Sequence, residues 1–587
     1  MIRNSIIENN VALKITRSGV VLISLICLVV MPLSQVMALS QVVAAQAAAQ
    51  QSTAPTSAAP QPETLETLRA RIAAHLSVPR YTSAAWGVKA VSLDTGVTLF
   101  EHNGDKYFSP ASNTKLYTAA LALDRLGTDF RVRTSIYATS RPDADGRVKG
   151  DLIIYGRGDP SIAATWNEGD YFRGIEPLVA SLVASGVKQI DGDLVGDESY
   201  FVGPPFGSGW EWDDLQWYYG AEVSALSIND NSIDLFVNPA DRAGIPCKIT
   251  TGPVTSHVTI MNRTQTVAKG TPARISVYRP VGANVIYVSG TLALGDRGYT
   301  GYVAVNNPAA LFVSIFKEAI AKRGIVIKGR TRTVDAKYRE VMPLDFKKIV
   351  EIGSIESPPI KEIVRRMMKP SQNLYAQMLL LQVGAKLMQE SEKPVERSNS
   401  QNAEKSLKSE SSNLKSENPN PAKSQISNPP QIEEPDYETT EEAGIDALDS
   451  FLESIGIRKG DVMLEEGSGL SRRNIITPAA TVELLKFMSR HRLNDIYLDA
   501  LPIAGVDGTL EKRMRETPAA GNVRAKTGSL RYVYTLSGYV TTAAGEQLAF
   551  SVMVNNAYSA DRTVSPRQDI DNLVVMLATF SGRSRQS

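Results

Sequence analysis

Three short patterns carry side chains that can do covalent chemistry together. The first is Ser112-Asn113-Thr114-Lys115. On a helix, residues three apart share a face, so Lys115 stands one turn from Ser112. A serine hydroxyl needs a base to become a nucleophile, and an amine serves when it is neutral. Burial or a neighbouring cation makes a lysine neutral. The second pattern is Ser371-Gln372-Asn373, and the third is Lys526-Thr527-Gly528-Ser529. In the third, Lys526 offers a cation to a carboxylate and Gly528 lets a ligand backbone approach closely.

Each pattern alone is weak. Ser-x-x-Lys recurs at Ser185, Ser314 and Ser412, and Ser-x-Asn at Ser227, Ser400, Ser411 and Ser416. Ser371, following Pro370, also fits a helix N-cap. Local context separates the candidates. Lys188 and Lys317 fall on patterns of ordinary amphipathic helices, and Ser412 lies in a stretch of polar composition. Only Ser112 has a Pro-Ala lead-in and an unbroken run of strong helix formers after Lys115, ending at Gly127.

The elements that must position these residues are legible as textures. Helical spacing over residues 63–75 is followed by a hairpin, 87–91 with 97–100, around Asp94-Thr95-Gly96. Residues 143–334 are rich in Val, Ile, Thr, Tyr and Gly with turn signals, the texture of one or two inserted β-rich domains. Helices are expected at 360–368 and 373–388. Strands are expected over 526–539 and 547–555, and a closing helix from Asp569. Residues 389–438 are Ser, Asn, Lys, Glu and Pro with hardly any large apolar residue, so they are expected to be a disordered insertion. The expected plan is a catalytic domain in three parts, 63–142, 335–388 and 439–587, interrupted by these two insertions.

At 587 residues the chain exceeds one compact core. Its 63 basic and 62 acidic residues give no electrostatic reason to expect a nucleic-acid partner. Residues 1–38 read as a cleaved export signal. Arg3, Lys14 and Arg17 precede an apolar run from Val20 to Met31, and Val36-Met37-Ala38 closes it. That run is short of the ~20 residues that span a bilayer, so no stable membrane anchor is expected. Residues 39–62 read as a flexible linker. After cleavage Cys247 stands alone, which excludes an intrachain disulfide. The four histidines, His75, His102, His257 and His491, fall in none of the patterns. Neither they nor the single cysteine make a zinc site, so no metal and no cofactor are expected.

Taken in order, Ser-x-x-Lys at a helix start, Ser-x-Asn, and Lys-Thr-Gly on a strand are the signature of penicillin-binding proteins and serine β-lactamases. The long separation of Ser112 from Ser371 narrows the match. The chain resembles the class C low-molecular-mass penicillin-binding proteins, the D-alanyl-D-alanine carboxypeptidase/endopeptidase family S13. Residues 150–152, 158–160, 192–194, 209–214, 218–221, 224–229, 467–472 and 501–510 are similar to that family too. The resemblance covers roughly residues 63–580, apart from the polar stretch.

The resemblance implies an α+β, β-lactamase-like transpeptidase fold, an antiparallel sheet flanked by helices, with the β-rich part inserted between the first two motifs. It implies a serine-type carboxypeptidase/endopeptidase of peptidoglycan stem peptides, acylated by β-lactams and working outside the cytoplasm. In it Ser112 attacks the penultimate D-Ala carbonyl and Lys115 is the base. Ser371 relays a proton to the leaving amine, Asn373 holds the substrate amide, and Lys526, with Thr527 and Gly528, binds the terminal carboxylate. The charge of Lys526 would help keep Lys115 neutral. The N–H groups of Ser112 and Ser529 form an oxyanion hole. Ser468, Leu470 and Arg472 would wall a pocket for a diamino acid, and Asp214, or Asp213, would pair with its amine. A β-lactamase or esterase on the same fold, and a non-catalytic wall-binding protein, are the alternatives.

Overall fold

The computed structural model describes residues 62–391, 439–558 and 565–585. The expected signal and linker, except Pro62, lie outside these residues, as does the polar stretch from residue 392 to residue 438. The expected start of that stretch at 389 is three residues early, because the preceding helix continues through Ser391.

The described residues from Glu63 onward form one compact unit. It opens with helix α1 (Leu65–Leu76), capped by the Thr64 hydroxyl. Strands β1 (Ala85–Ser92) and β2 (Thr98–His102) follow as the expected hairpin. Helix α2 (Thr114–Leu126) begins directly after a 3₁₀ turn, Ala111–Asn113, and stops at left-handed Gly127. Every residue from Thr114 to Leu123 is buried. The Leu, Ala and Tyr residues of this stretch are buried on every side, and they carry Lys115 into the interior with them.

Helices α3 (Ile360–Met368), α4 (Asn373–Ser391), α5 (Thr440–Ser454) and α6 (Pro478–Arg490) gather around α2 in one apolar cluster. Strands β3 (Arg524–Leu530), β4 (Val533–Thr541) and β5 (Gln547–Asn555) complete an antiparallel sheet in the order β3-β4-β5-β1-β2. Helix α7 (Pro566–Thr579) and α1 cover its other face through Leu68, Ile72, Leu573 and Leu577. The tail returns to the start, where the Glu63 N–H donates to the Ser581 hydroxyl at 2.9 Å. No helix of the described residues is long and apolar enough to cross a membrane.

The inserted part holds a five-stranded mixed sheet and several smaller ones. Leu152–Tyr155, helix Glu176–Ala184 and Leu194–Asp197 make a parallel crossover. The expected boundaries, 143 and 334, cut through this sheet. Arg133–Ala138 and Val350–Glu356 pair with each other at its edge and share its apolar core. The texture reading missed them because they sit beside helical stretches in sequence and join the sheet only by long-range pairing.

The core around α2 generates a stability prediction. Leu121 is fully buried, whereas Leu387 on α4 is 39% exposed. Leu121→Ala should lower unfolding stability by about 2–5 kcal/mol. Leu387→Ala should change it by about 0.5 kcal/mol or less. Urea unfolding of the two variants checks the contrast.

Candidate active site

The Ser112 hydroxyl sits on the 3₁₀ turn that opens α2, and Lys115 lies on the first turn of the helix itself. The Lys115 Nζ is 2.9 Å from Ser112 Oγ. It is 2.7 Å from Asn373 Oδ1 and 2.5 Å from the Ser468 carbonyl. Two of these three partners can only accept. A neutral amine therefore spends its two hydrogens on Asn373 and Ser468 and turns its lone pair toward the Ser112 hydroxyl. Lys115 is fully buried. Burial lowers its pKa to about 7, against an opposing pull from Glu466.

Lys526, also fully buried, lies on β3. It donates to Ser371 Oγ at 2.8 Å and to the Thr527 carbonyl at 2.9 Å. Burial and then the nearby Lys115 drive its pKa well below the ordinary lysine value. Burial is the largest cause at both lysines, and at Lys526 the charge on Lys115 adds to it.

The backbone around Ser112 is held in unusual shape. Ala111 has φ +46° and Ser371 has φ +69°, left-handed values that side chains with a Cβ seldom adopt. Two glycines enclose Ala111. A Cβ on Gly469 would lie 1.9 Å from the Ala111 carbonyl oxygen. One on Gly528 would lie 2.1 Å from Thr535 Oγ1 and 2.7 Å from the Pro110 carbonyl oxygen. Gly528 thus makes room for the Thr535 hydroxyl and the Pro110 carbonyl. The Thr535 hydroxyl also donates to the Pro110 carbonyl, at 2.9 Å.

The Ser371 loop is braced from below. Lys369 Nζ donates to the Leu501 carbonyl and to Asp507 Oδ2, both at 2.7 Å, and the Thr509 N–H donates to the Lys369 carbonyl. Ser371 is therefore not working as a simple N-cap, since its hydroxyl accepts from Lys526. Asn373 is engaged at both ends: Oδ1 accepts from Lys115 and Nδ2 donates to the Tyr219 carbonyl at 2.9 Å. Its amide orients Lys115 and ties the inserted part to the site.

Strand β3 is the sheet edge. The Ala525 N–H points away from β4, to the Pro502 carbonyl. Backbone N–H groups alternate along a strand, so those of Thr527 and Ser529 point to the same outer side. The Thr527 hydroxyl donates to Thr509, and the Ser529 hydroxyl accepts from Arg567.

Of the expected pocket wall, Ser468 is fully buried and Leu470 nearly so. Ser468 enters through its backbone, because its hydroxyl is turned to Glu466 while its carbonyl meets Lys115. Arg472 is exposed, 3.1 Å from Glu211, and donates to the Arg531 carbonyl. Asp214 is half-buried, beside Asp213 and Glu211, and burial with those like charges raises its pKa to about 6. The three carboxylates each place an oxygen within 4.8 Å of the others. The sequence expectation of no metal considered only His and Cys and overlooked this grouping.

The competing Ser-x-x-Lys pairs separate cleanly. Ser185 caps the end of helix Glu176–Ala184, and Lys188 lies beyond it, not on a helix as expected. Ser314 and Lys317 lie on helix Pro308–Lys322, with Lys317 exposed. Ser412 lies outside the described residues. Sequence reasoning missed Glu466 and Ala111. An acidic residue directly before Gly467-Ser468-Gly469, able to accept the N–H groups of a glycine-rich turn, was the available signal for Glu466.

A family model described as the D-Ala-D-Ala carboxypeptidase 3 (S13) family matches residues 68–415 and 429–579. A D-alanyl-D-alanine carboxypeptidase of Actinomadura sp. (strain R39) is 31% identical over 529 residues, 88% of this chain and 86% of that protein. The carboxypeptidase DacB of Haemophilus influenzae is 26% identical over 479 residues, 81% and 86% of the two chains. The crystal structure of penicillin-binding protein 4 from H. influenzae shares the fold, with TM-score 0.66 at 24% identity, covering 88% of this chain and 100% of that one. The same protein complexed with a novel β-lactam gives TM-score 0.63 at 23% identity, covering 88% and 99%.

The glycine clamp makes a direct prediction. Gly469→Ala should displace the Ser112 turn and slow acylation by labelled penicillin by about 10²-fold. Gly456 is equally left-handed, at φ +86°, but open around its Cα. Gly456→Ala should cost about 1 kcal/mol of stability and leave the acylation rate unchanged.

Proposed function

The chain belongs to the D-Ala-D-Ala carboxypeptidase 3 (S13) family and is a serine-type D-Ala-D-Ala carboxypeptidase, and we propose that it acts through an acyl-enzyme on Ser112. The observation that carries this reading is the contact of Lys115 Nζ with Ser112 Oγ at 2.9 Å, with the other two amine contacts held by acceptors.

In the proposed sequence Lys115 takes the Ser112 proton as Oγ attacks the penultimate D-Ala carbonyl. The oxyanion that forms is met by the N–H groups of Ser112 and Ser529. Each such donor is worth on the order of 10²–10³ in rate. The outward direction of the β3 N–H groups supports the part given to Ser529. As the C–N bond breaks, the leaving amine takes a proton from the Ser371 hydroxyl, which is replenished through Lys526 by the proton Lys115 took from Ser112, so that Lys115 is neutral again. A buried lysine beside a hydroxyl can hold the substrate carboxylate and pass that proton, and the 2.8 Å contact supports both. Water then attacks the ester, with Lys115 as base, and frees Ser112. Asn373 holds Lys115 in aim, and its Nδ2 can reach the substrate amide only by sharing with Tyr219.

The substrate is a peptidoglycan stem peptide, and a cross-linked peptide is cut by the same attack. Asp214, with Arg472 opposite, receives the amine of the diamino acid side chain. Burial and its like-charged neighbours raise the Asp214 pKa, and a bound ammonium relieves that repulsion. A β-lactam is attacked at its ring amide in the same geometry, and its amine stays tethered. Export by a cleaved signal in residues 1–38, to the periplasm or cell exterior where peptidoglycan lies, completes the reading. Its support is the charged start, short apolar run and small-residue end of that segment.

Labelled penicillin should attach covalently to Ser112, located by mass spectrometry of the labelled peptide. Ser112→Ala should abolish the label and lower D-Ala release from a D-Ala-D-Ala peptide by about 10⁴-fold or more. Equal labelling of this variant overturns the assignment. Lys115 must be neutral to accept the proton, and its pKa is lowered to about 7. The acylation rate should therefore rise with pH through about 7 and fall below it as the amine becomes protonated.

A further inference from the structure

Glu466 is fully buried and lies two residues before Ser468. Its carboxylate is the centre around which its own loop is folded. Oε2 accepts from the Ser468 N–H at 2.7 Å, the Ser468 hydroxyl at 2.6 Å and the Trp210 indole at 3.3 Å. Oε1 accepts from the Gly469 N–H at 2.5 Å, Asn474 Nδ2 at 2.7 Å and the Ser471 N–H at 3.4 Å. Six donors meeting two oxygens is the arrangement of an acceptor-only carboxylate.

The bonds have a consequence for the nucleophile. With the Ser468 N–H and hydroxyl both drawn to Glu466, the Ser468 carbonyl is left facing α2, where it accepts from Lys115. With the Gly469 N–H drawn the same way, Gly469 lies against the Ala111 carbonyl. Glu466 touches none of the reacting atoms, yet both the base and the turn that carries Ser112 rest on the loop it shapes.

The charge matters separately. The charged groups facing the Lys115 amine are Lys526 on β3 and Glu466 in this loop. Ser112, Asn373 and the Ser468 carbonyl are neutral. Burial disfavours protonated Lys115, and Glu466 opposes it. A base whose affinity for a proton falls too far takes a hydroxyl proton poorly, so an opposing charge is useful there.

We infer that Glu466 is a positioning residue for acylation: it shapes the loop that aims Lys115 and Ser112, and its charge sets the pH range in which Lys115 works as the base. This rests on the assignment of Ser112 and Lys115 above.

The test is the pH dependence of Ser112 acylation by a fluorescent penicillin, in the full chain and in Glu466→Gln and Glu466→Asp. Glu466→Gln should move the acid limb to lower pH by about one unit or more. It should also lower the plateau rate by about tenfold or more. Glu466→Asp keeps the charge but shortens its reach, so the limb should stay in place while the plateau falls. A Glu466→Gln limb that does not move, with rate lost equally at every pH, overturns the inference. So does a Glu466→Asp plateau equal to wild type, which also decides the matter if Glu466→Gln fails to fold. Absence of label on Ser112 in the wild-type chain would instead overturn the nucleophile assignment.

Discussion

The site depends on one costly arrangement, an amine held without water inside a helical core. Lys115 is buried on α2 and its three bonds go to neutral oxygens. Burial of a lone ammonium is expensive unless it is paired, and the cheaper outcome is loss of the proton. The same dryness that burdens the fold favours the neutral amine. Most of the surrounding structure serves this point. Helices α3 to α6 enclose α2, Asn373 arrives at the start of α4, and the Ser468 carbonyl arrives from the loop that precedes α6.

A second lysine raises the demand. Lys526 is equally buried and is bonded to Ser371 and to its own strand. Protonated Lys115 disfavours a proton on Lys526, so the two amines gain and lose protons as a pair. Such a pair suits a reaction in which one proton must leave a hydroxyl and another must reach a departing amine. The inserted part takes part in holding it, because the Tyr219 carbonyl fixes the free end of the Asn373 amide and Trp210 bonds to Glu466.

What the sequence revealed was what is local. A helix start, a strand carrying Lys-Thr-Gly, and a Gly stop at 127 are written in consecutive residues, and they stand where expected. The family resemblance supplied the order of the motifs and hence the fold. What was illegible depends on contacts between distant segments. Nothing in Ser468 announces that its carbonyl, rather than its side chain, meets Lys115, because every residue has a carbonyl. Asn373 was expected to face substrate, and only the approach of Tyr219 shows that both ends of its amide are taken. The sheet of the inserted part runs past its textural boundaries because Arg133–Ala138 and Val350–Glu356 find each other across a long stretch of chain.

The two glycines pressed on Ala111 have a consequence for how such an enzyme can change over generations. Gly469 and Gly528 leave no room for even a methyl group, so a side chain at either position must displace the turn that carries Ser112. Exposed positions such as Arg472, Asp213 and Glu211 are under no such steric limit. Substitutions can therefore accumulate at the surface, while the serine turn stays frozen.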